Sequence, residues 1–100
     1  MDLVELTEAL RIQAARNVKL GYKVKFVLED GVIFWDGTGV PPEIGNEDKG
    51  EVDTTISLSA ANLEKLMQGG LDPTLAYMTG KLKVEGKMGV ALKLTSMFSD

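Results

Sequence analysis

Residues 87–98, a segment with helical spacing near the end of the chain, are apolar over an unusually wide arc. A surface helix of a globular protein carries an apolar stripe of about 100°, and this segment carries roughly twice that. Such a helix has to be covered on two sides. We expect a sheet on one side and a partner chain or a bound apolar molecule on the other. The apolar residues form two adjoining rows: Met88, Ala91, Leu92 and Phe98 in one, and Val90, Leu94 and Met97 in the other.

A helix and a strand are predicted just before this segment. Asp72 followed by Pro73 is a helix start, because aspartate accepts hydrogen bonds from first-turn amides and proline lacks an N–H there. The helix is predicted to end at Gly80, which readily adopts the left-handed conformation. Residues 81–85 alternate charged and apolar side chains, which predicts a strand with one wet face and one buried face.

Residues 80–89, Gly-Lys-Leu-Lys-Val-Glu-Gly-Lys-Met-Gly, resemble the most recognisable segment of the sterol carrier protein 2 family, the small lipid-transfer domains. The order of predicted elements around this segment is similar too. Upstream, the Thr-Thr-Ile-Ser-Leu sequence of residues 54–58 falls in the family's order, as do Leu63, Leu66, Met67 and Gly69. The likeness covers residues 22–98 and identifies the chain as similar to small stand-alone prokaryotic-type members.

The resemblance implies a tunnel between a sheet and the C-terminal helices. In the family this tunnel holds fatty acids, acyl-CoA, sterols, isoprenoids or phospholipid-like molecules, so the implied function is lipid binding and transfer without catalysis or cofactor. Trp35 lies on the opposite strand face from Phe34, and the sequence leaves open which of them faces the core. The expected lining residues are Phe26, Phe34, Met67, Leu75, Met78, Met88, Leu92 and Phe98.

The positions of the methionines bear on whether the chain contains a lipid-binding pocket. Four of the five methionines lie in the C-terminal half, in elements that we expect to face one another. Methionine is flexible and polarizable, which suits a pocket that accepts varied apolar ligands. Simple filling of the core is the alternative interpretation. The four are Met67, Met78, Met88 and Met97.

Composition limits the other functional classes. A chain of 100 residues makes one domain, spanning residues 1–100, and buries about 60–65% of its unfolded surface. A net charge of −4, without a lysine- or arginine-rich stripe, argues against nucleic acid binding. Cysteine is absent, and neither a membrane-spanning run nor a signal-peptide core is found. We therefore expect a cytoplasmic protein.

The N-terminal half is predicted to contain one helix and three or four strands. Residues 1–16 have helical spacing, with Asp2 and Glu5 arranged much like a capping box. We expect this helix to pack on a sheet face; a gate over a lipid entrance is the functional alternative. Residues 22–28 and 32–35 flank an Asp-Gly turn, which is a strong hairpin signal. Residues 52–59 form the next strand, and Ser59 begins a helix that ends at Gly69.

The segment of residues 40–53 is the least defined. Glu43 and Ile44 fit a short edge strand, and the remainder is turn-like. A calcium or magnesium site is one interpretation of its carboxylates, because hard cations prefer clustered oxygen ligands. The other interpretation is that these carboxylates are simply solvated charges of a loop. We favour it, since no full calcium-loop pattern is present. The carboxylates are Asp36, Glu43, Glu47, Asp48, Glu51 and Asp53.

The order of elements predicts an α+β fold, with a mainly antiparallel sheet of about five strands and helices on one face. Catalysis is not expected. The chain has no histidine and no cysteine, so the usual general base and the thiolate nucleophile are both missing. No catalytic residue, metal ligand or cofactor site is predicted.

Two functional classes remain open. A lipid carrier would be a monomer with one apolar ligand, in transient contact with membranes. An interaction module would instead use its wide apolar helix to form a homodimer or to dock on an enzyme of isoprenoid quinone or lipid metabolism. Exposed apolar surface serves either class.

Overall fold

A five-stranded sheet with strand order β3-β2-β1-β4-β5 organises the chain. The computed structural model describes residues 2–16 and 20–99. The elements in this part of the chain are α1 (Leu3–Ala14), β1 (Lys23–Leu28), β2 (Gly31–Asp36), β3 (Glu43–Gly45), β4 (Thr54–Leu58), α2 (Ala60–Met67), α3 (Pro73–Met78), β5 (Leu82–Gly86), α4 (Met88–Ser96) and a 3₁₀ turn (Met97–Ser99).

Strand β1 is the centre of the sheet. It pairs antiparallel with β2, and Phe26 faces Ile33 across this ladder. On its other side β1 pairs parallel with β4, where Phe26 lies opposite Ile56. The remaining pairs, β2 with β3 and β4 with β5, are antiparallel. The predicted α+β fold with a mainly antiparallel sheet of five strands is therefore confirmed, with one parallel pair in addition.

The two faces of the sheet differ in polarity. Val24, Phe26 and Leu28 are buried on one face of β1, and Lys23, Lys25 and the exposed Val27 occupy the alternate positions. Directly opposed residues of an antiparallel pair project to the same face. Trp35 lies opposite Val24 and therefore faces the core, whereas Phe34 lies opposite Lys25 and faces away from it. This assignment settles the strand phase that the sequence left open.

Local capping explains where α1, α2 and α3 begin. Asp2 and Glu5 form the predicted capping box: the Glu5 N–H donates to Asp2 Oδ1 at 2.9 Å, and the Asp2 N–H donates to Glu5 Oε1 at 3.2 Å. The Asn62 N–H donates to Ser59 Oγ at 3.1 Å at the start of α2. Asp72 accepts from two amides at the start of α3. Helix α1 ends at Ala14, two residues earlier than predicted, and Met1 lies outside the described residues.

Helix α4 is shorter than the predicted helix of residues 87–98. It ends at Ser96, and a 3₁₀ turn continues to Ser99. Helix α4 packs against β4, β5 and α3. Val90, Ala91 and Leu94 are buried there, while the side chain of Leu92 is 42% exposed. One side of its apolar arc is thus covered by the fold, and the side bearing Leu92 is open.

Candidate functional site

An apolar layer fills the space between the sheet and the helices. At its centre Phe26 of β1 is fully buried, and its ring lies 6.5 Å from that of Phe98, centroid to centroid, at an interplanar angle of 34°. The 3₁₀ turn that carries Phe98 packs against α2 and α4. The last turn of the chain therefore closes the layer over the central strand. Leu63, Leu66 and Leu94 complete its walls, and none is more than 2% exposed.

The structure brings together three of the residues that the sequence predicts for the lining. Phe26, Met67 and Phe98 belong to one buried cluster. Met88 is only partly buried. Leu94 was not in the predicted set, although its place on the second apolar row of the last helix was a signal that it would be buried.

Four predicted lining residues lie apart from this cluster, or at its edge. Phe34 is buried on the opposite face of the sheet. Leu75 and Met78 are 56% and 74% exposed, because Ala76 is the residue of α3 that faces the core. Residues of a helix are separated by about 100°, so an inward Ala76 turns Met78 outward. Leu92 is exposed on α4, as noted above.

A cleft between α1 and α2 reaches the apolar layer from outside. Its volume is about 240 Å³. Met67 lines this cleft and also belongs to the buried core, with 8% of its surface exposed. The side-chain amide of Gln13 donates to the Met67 carbonyl at 3.1 Å and joins the two helices. Arg16 and Gln68 place polar groups in the same cleft, whose other lining residues are Ala9, Ile12 and Glu64.

The acidic segment forms a separate site on the other face of the sheet. A pocket of about 190 Å³ there is lined by Phe34 together with Asp36, Glu43, Lys49 and other residues of the loop. Glu43 pairs with Lys49 at 2.5 Å, and this contact raises the pKa of Lys49. Phe34 thus lies beneath a charged loop.

The three aspartates of this segment already have donors, and for Asp53 the donor is the Lys23 N–H at 2.9 Å. Hydrogen bonds from the hydroxyl and then the N–H of Thr38 lower the pKa of Asp36. The Gly50 N–H, followed by the Lys25 ammonium, lowers the pKa of Asp48. Within residues 2–16 and 20–99, no group of three or more acidic residues is arranged to hold a metal ion. Donors from the protein itself therefore satisfy these aspartates.

Known proteins resemble this chain in sequence and in fold. Hydroxysteroid dehydrogenase-like protein 2 of Bos taurus is 32% identical over 100 residues, which cover 98% of this chain and 21% of that protein. The chain thus spans about a fifth of the length of that relative.

Two solved structures share the fold. Palmitated SCP2L2 from Aedes aegypti has a TM-score of 0.78 at 16% identity, and the match covers 100% of this chain and 96% of that one. Apo sterol carrier protein 2 from Yarrowia lipolytica has a TM-score of 0.69 at 20% identity, and the match covers 97% of this chain and 78% of that one.

The family itself is identified by a match over nearly the whole chain. Residues 6–99 match the sequence pattern of the SCP-2 sterol transfer family. This range contains all five strands and most of α1. It also contains residues 80–89, whose sequence resembles the most recognisable segment of that family. The chain therefore belongs to the SCP-2 sterol transfer family.

Proposed function

We propose that this chain binds one apolar lipid in the layer between the sheet and the C-terminal helices and transfers it unchanged. The ligand class is a molecule with a long apolar part and one polar end: a fatty acid, an acyl-CoA, a sterol or isoprenoid, or a phospholipid-like molecule. Membership of a sterol transfer family supports this class. The role is one of binding, since the chain has neither the histidine nor the cysteine on which most nucleophilic catalysis depends.

The position of Met67 carries the proposal. This side chain lies in the cleft between α1 and α2 and also in the buried cluster with Phe26 and Phe98. It is therefore the point at which apolar surface continues from the outside of the molecule to its centre. Methionine has three rotatable bonds and repacks readily, so Met67 is suited to moving aside when a lipid enters.

Entry of a lipid requires the layer to widen. Pockets that enclose drug-sized ligands have volumes of about 300–1,000 Å³, whereas the cleft holds about 240 Å³. The 3₁₀ turn with Phe98 is the element best placed to yield, because it has only three residues and its ring lies beside that of Phe26. Displacing the Phe98 ring would open space directly above Phe26. The acyl or ring portion of the lipid would then take that space.

The polar end of the lipid would stay at the mouth of the cleft. Arg16 is exposed there and offers a guanidinium to a carboxylate or phosphate. The apolar part gains about 25 cal/mol for each Å² removed from water, which favours long chains without selecting one chemistry. The proposed site consists of Phe26, Met67, Met88 and Phe98. Leu75 and Met78 are left out of the site because their side chains point outward.

Native mass spectrometry of freshly purified protein tests the function directly. We expect a bound apolar molecule in a one-to-one ratio, which organic extraction would then release for identification. Protein that is empty and also fails to take up a fluorescent fatty acid would refute the carrier function.

An enzyme-docking module is the second candidate. The relative from Bos taurus is about five times longer than the matching region and is named for a dehydrogenase, so this fold occurs beside other parts in one chain. The exposed side chains of Leu75, Met78 and Leu92 offer apolar surface for docking or for a homodimer. Size-exclusion chromatography with light scattering distinguishes the two: a monomer with a lipid supports the carrier, and an empty dimer supports the module.

A further inference from the structure

Trp35 carries a buried hydrogen-bond donor that has no acceptor in the fold. The residue is 2% exposed, and its indole Nε1 has no hydrogen-bond partner among the described residues. A buried tryptophan N–H normally finds an acceptor, and a donor left without one costs free energy. The indole N–H is therefore available for a hydrogen bond to a group from outside the chain.

The buried hydroxyl groups of the protein do not share this feature. Each of the buried threonines donates to a main-chain carbonyl at 2.7 or 2.8 Å. Among the side chains that the structure describes, the indole is thus the one buried donor that the fold leaves unused. The threonines are Thr7, Thr54 and Thr95.

Trp35 lies in the same apolar layer as the proposed lipid site. It is opposite Val24 in the ladder between β1 and β2, and Phe26 is opposite Ile33. Phe26 and Trp35 are therefore diagonal neighbours on the core face of the sheet, at a separation of about 7–8 Å. Both belong to the buried cluster that includes Phe98. A lipid placed over Phe26 would pass within reach of the indole.

The indole N–H lies beside Gly37, just beyond the end of β2. A Cβ added to Gly37 would lie 3.0 Å from Trp35 Nε1, 3.0 Å from Leu20 Cβ and 2.8 Å from the Tyr22 carbonyl oxygen. That oxygen already accepts the Gly37 N–H at 2.9 Å. The neighbours of the indole N–H at this point are an engaged carbonyl and apolar carbon, and neither serves as its acceptor.

We propose that Trp35 Nε1 donates a hydrogen bond to an uncharged oxygen in the buried part of the bound lipid. This role rests on the proposed carrier function. Among the proposed ligands it favours those with a keto, hydroxyl or ester oxygen that enters the apolar layer. A charged end stays near Arg16 at the mouth of the cleft, because burying a carboxylate costs far more than burying a carbonyl. A simple fatty acid has no second oxygen and leaves the N–H unsatisfied.

The bond should make the site selective because the donor is desolvated before the lipid arrives. Folding has already removed the indole N–H from water, so only the oxygen of the lipid loses water on binding. A fixed polar group discriminates between ligands with and without its partner more strongly than an apolar wall discriminates by length. For a neutral pair, we expect a gain in affinity of about three- to tenfold.

The chain has a single tryptophan, so the indole N–H gives one assignable resonance in the NMR spectrum of isotopically labelled protein. The probes are stearate and ketostearates that carry the carbonyl at different positions along the acyl chain. We expect at least one ketostearate to move the indole proton further downfield than stearate does. The same ketostearate should bind about three- to tenfold more tightly than stearate. A sterol alcohol and a diacylglycerol, tested in the same way, distinguish a hydroxyl from an ester carbonyl as the source of the oxygen.

Trp35→Phe removes the N–H and keeps an aromatic ring. This variant should lose the preference and bind stearate and the ketostearate with equal affinity. Ile33→Val is the matched control, since it shortens a fully buried neighbour on the same face of β2 without removing a donor, and it should retain the preference. If Trp35→Phe does not fold, the indole resonance of the wild type decides the question.

The outcomes separate this inference from the carrier function. A ketostearate preference that leaves the indole resonance unmoved, or that survives in Trp35→Phe, would show that another group contacts the oxygen and would overturn the proposal. Equal affinity of the wild type for stearate and every ketostearate would overturn it while the carrier function stands. Failure of the wild type to bind any of these acids would refute the carrier function and the proposal together.

Discussion

The ring of Phe98 lies 6.5 Å from the ring of Phe26, centroid to centroid, and so joins the end of the chain to the central strand of the sheet. Phe26 is fully buried and Phe98 is 2% exposed. The contact spans 72 positions in sequence. The 3₁₀ turn therefore covers the apolar layer above the central strand. In the proposed function it is also the part that moves when a lipid enters.

Phe98→Ala should destabilise the protein by about 3 kcal/mol, because it removes a buried ring and leaves a cavity above Phe26. Urea unfolding followed by circular dichroism measures the loss. Met97→Ala, which truncates the half-buried neighbour in the same turn, should lower the unfolding free energy by less than about 1 kcal/mol. A saturating fatty acid should restore part of the stability of Phe98→Ala. Equal losses for the two variants would contradict an anchoring role for Phe98.

Glu29 should make stability depend on pH in the acid range. Its Oε1 accepts a hydrogen bond from the Ala60 N–H at 2.7 Å at the start of α2, and this bond lowers the pKa of Glu29 below its ordinary value of 4.5. The folded state therefore releases this proton more readily than the unfolded state. The stabilisation is present above pH 4.5 and is lost as the pH falls through the lowered pKa.

Glu29→Gln tests this assignment by unfolding measurements between neutral pH and about pH 3. The variant should be less stable than the wild type at neutral pH, and the difference should shrink on acidification. Asp30→Asn, a change in the same turn, is the control and should preserve the acid dependence. A difference between Glu29→Gln and wild type that stays constant with pH would show that the helix start does not depend on this carboxylate.

Two glycines of the C-terminal third should respond in opposite directions to alanine. Gly86 has φ of +97°, and an added Cβ would lie 2.5 Å from the Asp53 carbonyl oxygen, so Gly86→Ala should destabilise by about 2 kcal/mol or more. Gly89 lies in the first turn of α4, where an added Cβ meets no atom within 4 Å. Gly89→Ala should therefore stabilise by about 0.5–1 kcal/mol. Thermal unfolding compares the two; destabilisation by Gly89→Ala would mean that α4 is packed differently there.

Local signals predicted most of the elements, and their absence explains what the sequence left open. The caps at Asp2, Ser59 and Asp72 are read directly from residue type, because each side chain bonds to amides two or three residues away. The parallel pairing of β1 with β4 depends on strands about thirty residues apart, and no local pattern records it. Residues 32–35 are uniformly apolar, so alternation could not assign Phe34 and Trp35 to their faces.

The candidate site was harder to predict than the fold. Leu75 and Met78 were expected at the lining because the family resemblance implied a tunnel there, and large apolar residues usually face the core. Helix α3 has only six residues, too few for a periodic pattern to reveal that the small Ala76 is the inward one. Met67 was placed correctly in the buried cluster, since α2 is long enough for Leu63, Leu66 and Met67 to define one face.

Met67→Trp provides the sharpest test of the route by which a lipid enters. The larger ring would fill the cleft of about 240 Å³ between α1 and α2, so we expect uptake of a fluorescent fatty acid to weaken about tenfold or more. Met67→Leu conserves volume and should preserve both fold and uptake. Leu92→Trp adds the same ring on the open side of α4, where 42% of the leucine is exposed, and should change uptake little. If Leu92→Trp blocks uptake while Met67→Trp, still folded, does not, lipid enters beside α4 and the cleft is not the entrance.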